Sequence, residues 1–173
     1  RENEISRIKN YFDFNEVYNL KLPTRKLDVL PIGDIIQKIS EIVESYRPEE
    51  IFIPHLGDVH TDHTIVFNAV VSGTKSFRYP FIKRMLSYET ISETDFGLDV
   101  SVSFNPNVFV DISDFLEQKL KAMEIYSSEI GEFPFPRSRE SVEALARVRG
   151  STAGFKAAEA FQLLRSREEF EIN

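Results

Sequence analysis

The stretch from Gly33 to Pro54 constrains the fold more than any other part of this chain. Ile35, Ile36, Ile39, Ile42, Val43 and Tyr46 fall at helical spacing and make one apolar stripe. Pro48 cannot continue a helix and closes it. Glu50-Ile51-Phe52-Ile53-Pro54 follows, a short apolar run ended by a second proline, which is the pattern of a buried strand. A polar loop, His55 to Asp62, then leads into a helix over 62–74, with Ile65, Val66, Ala69 and Val70 facing inward and Gly73 as its stop. A helix feeding a buried strand that feeds another helix predicts parallel α/β architecture, in which a ligand sits beyond the carboxyl ends of the strands.

The remaining segments extend that alternation. Ile5, Ile8 and Phe12 predict a helix over 2–12, and Glu16-Val17-Tyr18-Asn19-Leu20 reads as a short strand ended by Leu22-Pro23. Further strands are expected at Met85–Glu89 and Val108–Ile112. Asp114 with Glu117 resembles a capping box that opens a helix to about Ser127. The prolines of 131–136 forbid a helix there, and two short helices are expected near 140–148 and 155–166. No repeat interrupts the chain, and residues 1–173 are expected to form a single domain.

Composition removes several function classes. A net charge of −7 argues against nucleic acid as the main partner, because binding phosphates needs a basic face. The absence of cysteine rules out disulfides, thiolate metal sites and a cysteine nucleophile. No apolar run approaches the roughly 20 residues that cross a bilayer, and the charged opening Arg1-Glu2-Asn3-Glu4 is unlike a signal peptide, so no membrane span and a cytoplasmic location are expected.

All three histidines lie within 55–63, in His55-Leu56-Gly57-Asp58-Val59-His60-Thr61-Asp62-His63. Placed between a strand end and a helix start, His60 and His63 can face one side, since residues three apart are neighbours on a helix. Neutral imidazole is the commonest metal ligand, and zinc accepts it. A carboxylate, Asp58 or Asp62, can hold the other ring nitrogen and set the tautomer. The competing reading is a polar turn in which Asp58 or Asp62 caps free backbone amides. The spacing by itself supplies two candidate ligands, fewer than the three a catalytic zinc site normally takes from the protein.

The segment Asp58-Val59-His60-Thr61-Asp62-His63 resembles the Asp-x-His-x-Asp-His signature of the LmbE-like (PIG-L) N-acetylglucosaminyl deacetylases. Arg1-Glu2-Asn3-Glu4 is similar to that family's Arg-x-x-Glu, Ser87-Tyr88-Glu89 to an aromatic-acidic strand, and Arg149-Gly150 through Ala158-Glu159-Ala160-Phe161 to its C-terminal stretch. The resemblance implies a Rossmann-like three-layer α/β sandwich with a mostly parallel sheet. It implies His63 as a Zn2+ ligand, His60 as the group that steadies the oxyanion, Asp62 as the residue that orients His60, and Arg1 as a contact to sugar hydroxyls. The implied activity is zinc-dependent hydrolysis of the N-acetyl group of an amino sugar or its conjugate, and a homo-oligomer is an allowed state. The family's first signature, His-Pro-Asp-Asp-Glu, supplies two further ligands and the base; no such run occurs between Arg1 and Asn173, so the first βα unit is expected to be absent from this chain.

Two other readings are open. A chain without the base can serve as a sugar-binding or assembly module, and His/Asp metal ligands also suit a phosphohydrolase. Arg137, Arg139, Arg147 and Arg149 read either as an anion site or as surface charge beside helices. Phe133, Phe135 and Tyr79 read as sugar-stacking rings or as packing anchors, Glu159 as one half of an ion pair with an arginine, and Gly57 as the hinge of a tight turn.

Overall fold

The computed structural model describes residues 1–169. Its helices are α1 (Glu2–Phe12), α2 (Ile32–Tyr46), α3 (Thr61–Gly73), α4 (Leu116–Ile125) and α5 (Arg139–Ala153). Its strands are β1 (Glu50–Pro54), β2 (Arg84–Tyr88), β3 (Val108–Asp111) and β4 (Ala158–Ser166), hydrogen-bonded in the order β1-β2-β4-β3. The chain divides into two compact units, one made by Arg1–Asn19 with Phe109–Ala160, the other by Leu20–Val108 with the chain from Phe161 onward.

The second unit holds the helix–strand–helix segment predicted above. The stripe of α2 buries Ile35 and Val43, and the helix ends where Arg47 turns left-handed (φ 53°) and returns its N–H to Val43 O, one residue before Pro48. β1 and β2 run parallel with Ile51 opposite Met85 and Ile53 opposite Ser87, and an Arg84–Glu50 ion pair of 2.7 Å stands where the two strands begin. Ile53, Val70 and Met85 pack together, with Ile51, Val66 and Phe67 around them. A second cluster joins Leu27, Ile35 and Ala69 with Ile36, Ile39 and Ile65. These contacts seat α3 on the sheet and fix where its first turn lies.

In the first unit α1 packs on α4 and α4 on α5, burying Ile8, Leu120, Val142 and Ala146. Ser138 caps α5 by accepting the Ser141 N–H at 3.2 Å, and Gly154 (φ 80°) ends it.

Four expectations are corrected. The sheet is mixed rather than mostly parallel: β2 and β4 are antiparallel, with Leu86 opposite Leu163 and Tyr88 opposite Phe161. The Asn107 N–H reaches Phe161 O and the Ile112 N–H reaches Ala157 O, so the partner numbers fall as the strand advances, and β3 is antiparallel to β4 as well. The cause lies in 155–166, which is a strand and not a helix. Its Ala, Glu, Gln and Leu favour a helix, but Ala158 and Ala160 are buried while Glu159 and Phe161 between and after them are less so, the two-residue period of a strand, and pairing along both edges overrides propensity. Residues 16–20 form no strand; Val17 and Tyr18 are exposed. The capping box is also absent: α4 starts at Leu116 without a side-chain cap, Glu117 pairs with Arg139, and Asp111 closes the preceding turn by accepting the Ser113 N–H at 2.9 Å.

Gly150 explains how the chain turns back onto α5. A Cβ there would lie 2.7 Å from both N and Cα of Ala157, so main chain meets main chain. Gly150→Ala is expected to lower stability by about 1–3 kcal/mol through overpacking, although alanine is the better helix former by about 1 kcal/mol. Urea unfolding measures this; an unchanged or higher midpoint would show that α5 can lift away freely.

Candidate functional site

The candidate site is the loop leaving β1 and the first turn of α3, all within the second unit. Pro54 ends the strand, and His55 to His60 cross from the strand to the helix. Each histidine has its own set of partners, and those partners decide what each ring can do.

His55 is structural. It is 5% exposed, its Nε2 lies 2.6 Å from Val102 O, its Nδ1 faces Ser87 Oγ at 3.4 Å, and Phe104 meets it edge-on. A carbonyl only accepts, so Nε2 carries the proton and both ring nitrogens are occupied. Gly57 makes the approach possible. A Cβ at this position would lie 2.5 Å from Val102 O and 2.9 Å from His55 Nε2, so Gly57 serves this close contact as well as the tight turn expected of it, which the Asp58 N–H closes on His55 O at 3.3 Å.

His60 is the N-cap of α3. Its Nδ1 accepts the Asp62 N–H at 3.2 Å. The nitrogen that accepts holds no proton, so in the neutral ring Nε2 carries it, and the free side of His60 is a hydrogen-bond donor.

His63 has the opposite polarity. Its Nδ1 lies 2.7 Å from Asp58 Oδ2, and a carboxylate oxygen accepts, so Nδ1 carries the proton and Nε2 offers a lone pair. The two rings stack, 5.0 Å between centroids and 19° between planes. The Asp58 side chain is fully buried and also accepts from Thr94 Oγ1 at 2.6 Å. Burial first, and the charge of Asp58 second, push the nearby Tyr88 phenol above its ordinary value.

Asp62 meets His60 through its main chain rather than its carboxylate. That carboxylate accepts the Arg25 N–H at 2.6 Å and the Leu27 N–H at 3.1 Å, and so ties the segment before α2 to the start of α3. Asp58, not Asp62, is the carboxylate on a histidine ring nitrogen. Thr94, absent from the sequence-based candidates, belongs to the site; no local pattern marks it, because its partner lies 36 positions away.

Arg1 belongs to the first unit. Its guanidinium reaches Glu129 at 2.6 Å and Ser128 at 3.4 Å and lies over the Tyr126 ring. The other arginines considered for an anion are also partnered: Arg139 with Glu117 and Glu124, Arg137 with Glu129, Arg147 with Glu143. Glu159 pairs with Lys119 instead of an arginine. Tyr79 packs edge-on against Phe81, and Phe135 lies under Arg137, while Phe133 is exposed.

Among the described residues no three His, Asp or Glu side chains are placed to hold a metal ion. The loop offers one imidazole nitrogen, His63 Nε2, backed by a buried carboxylate, which is how histidine ligands of metals are held. No helix among the described residues is long and apolar enough to cross a membrane.

Fold and loop together define a class: a mixed α/β chain whose strand-to-helix loop carries a stacked pair of histidines of opposite polarity. Residues 1–73, which contain both Arg1-x-x-Glu4 and this loop, match the family model PIG-L, described as GlcNAc-PI de-N-acetylase, and the resemblance named from the sequence holds over that span. Two solved structures share the fold. The conserved protein TT1542 from Thermus thermophilus matches at 23% identity and a TM-score of 0.75, over 98% of this chain and 74% of its own. The N,N'-diacetylchitobiose deacetylase from Pyrococcus horikoshii matches at 18% identity and a TM-score of 0.74, over 94% of this chain, which spans 62% of that protein's length.

Proposed function

We propose that this chain carries the histidine half of a zinc-dependent deacetylase site, which hydrolyses the N-acetyl group of an amino sugar or its conjugate. The observation that carries the reading is the opposed polarity of His60 and His63. One ring presents a donor and its stacked neighbour presents a lone pair, the two faces that amide hydrolysis at a metal requires.

When bound, zinc would polarise the acetyl carbonyl and acidify a water molecule. His63 would hold it through Nε2, with Asp58 fixing the ring. His60 donates its Nε2–H to the oxyanion that develops as the carbonyl becomes tetrahedral. Asp62 keeps the His60 Nδ1 unprotonated through its main-chain N–H and anchors the loop through its carboxylate. Arg1 is assigned to sugar hydroxyls on the strength of the family resemblance; its Nη1 is engaged with Glu129 and Ser128, and its side chain is 56% exposed. The Rossmann-like three-layer sandwich, with a further βα unit bearing His-Pro-Asp-Asp-Glu, belongs to the same reading.

The test compares the 173-residue chain with a polypeptide in which a His-Pro-Asp-Asp-Glu segment precedes it. Zinc content and acetate release from N-acetylglucosamine conjugates are measured in both. Zinc and acetate release are expected in the longer polypeptide and neither in the chain alone. Sugar binding without acetate release from the longer polypeptide would favour a binding module, and phosphate release a phosphohydrolase.

A further inference from the structure

The geometry points to Thr94 as a positioning residue that fixes which nitrogen of His63 is left free, acting through Asp58. Its catalytic meaning rests on the deacetylase reading, but the contact network stands without it.

Asp58 is fully buried at its side chain and accepts twice, from His63 Nδ1–H on Oδ2 at 2.7 Å and from Thr94 Oγ1–H on Oδ1 at 2.6 Å. The Thr94 oxygen in turn accepts the Thr90 N–H at 2.7 Å. A carboxylate has no proton to give and an amide N–H has no lone pair to offer, so each proton has one place. The Thr90 amide fills a lone pair of Thr94, the single O–H of Thr94 points at Asp58, and the other oxygen of Asp58 is left to take the His63 proton.

Thr94 is itself held. Its N–H returns to Thr90 O at 2.8 Å, and the neighbouring Glu93 carbonyl accepts the Val59 N–H at 3.3 Å, so the 90–94 turn is bonded to the histidine loop. Without the hydroxyl, Oδ1 becomes a buried acceptor with nothing to hold it, and the carboxylate can turn away from His63. The ring then loses its preference for Nδ1–H and with it the fixed direction of the Nε2 lone pair.

A control lies next door. The Thr90 hydroxyl is buried without a hydrogen-bond partner among the described residues, and the network uses only the Thr90 main-chain N–H. Thr90→Val therefore changes the same turn without breaking the network.

The experiment is hydrogen exchange of the ring N–H protons in the full chain, labelled with 15N-histidine, without metal or substrate, at one pH about two units above the ordinary imidazole value. Thr94→Val is expected to speed exchange of His63 Nδ1–H about tenfold or more, the scale of one lost bond to a charged group, while Thr94→Ser and Thr90→Val stay within about twofold of wild type. His55 Nε2–H, held by Val102 O, is expected to keep its rate in every variant. The assignment is overturned if Thr94→Val leaves His63 unchanged, if Thr94→Ser fails to restore it, or if His55 accelerates in parallel, which would mean a loosened loop and not a lost contact. Because no zinc or sugar is present, a failed deacetylase test leaves this outcome intact, and an unresponsive His63 sinks Thr94 even where acetate is released.

Discussion

His63→Ala is expected to abolish zinc uptake by a polypeptide bearing both signatures, whereas His60→Ala keeps its zinc and loses about 10²–10³-fold in turnover. The asymmetry follows from the ring polarities. His63 has its proton on the Asp58 side and its lone pair outward, so truncation removes a ligand. His60 has its lone pair on the Asp62 N–H and its proton outward, so truncation removes a donor to developing negative charge and leaves the ligand set alone. Zinc content by elemental analysis, read beside kcat, separates the two. Equal zinc loss in both variants would refute the division of labour, as would full turnover in His60→Ala.

Asp62→Ala is expected to cost about 2–4 kcal/mol of stability, more than truncating either histidine, because two main-chain donors lose their acceptor at once. Leu27 is buried, and its N–H has little access to water once the carboxylate is gone; the Arg25 N–H is partly buried. Asn at this position keeps one carbonyl acceptor but turns an NH2 toward the second amide, so a smaller loss is expected. Urea denaturation gives the comparison. An Asp62→Ala midpoint equal to wild type would mean that water reaches both amides, and that the carboxylate does not hold the segment before α2 to α3.

Local features are legible in the sequence, and distant partnerships are not. The boundaries of α1, α2, β1 and α3 follow from apolar spacing, prolines and a glycine within a few residues of each end, so they agree with the structure to within about one residue. The same locality makes the His60/His63 pair visible. It does not divide the work between Asp58 and Asp62, since both carboxylates flank the pair at similar distances in sequence. That division depends on Arg25, Leu27 and Thr94, each more than thirty positions from the carboxylate it meets. β4 escapes a sequence reading for the converse reason: its own residues favour a helix, and only β2 and β3 alongside it impose the strand.

His60 caps α3, and on the deacetylase reading proposed above the same ring would also serve turnover, which would tie thermal robustness and activity to a single position. Histidine is a weaker helix initiator than aspartate, asparagine or serine, so each of those residues in its place would tighten the first turn of α3 by some tenths of a kcal/mol up to about 1 kcal/mol. None of them places an N–H where the imidazole holds one. A library selected only for heat resistance would therefore drift toward well-folded variants at position 60 that lack the outward imidazole donor on which the proposed deacetylase reading depends.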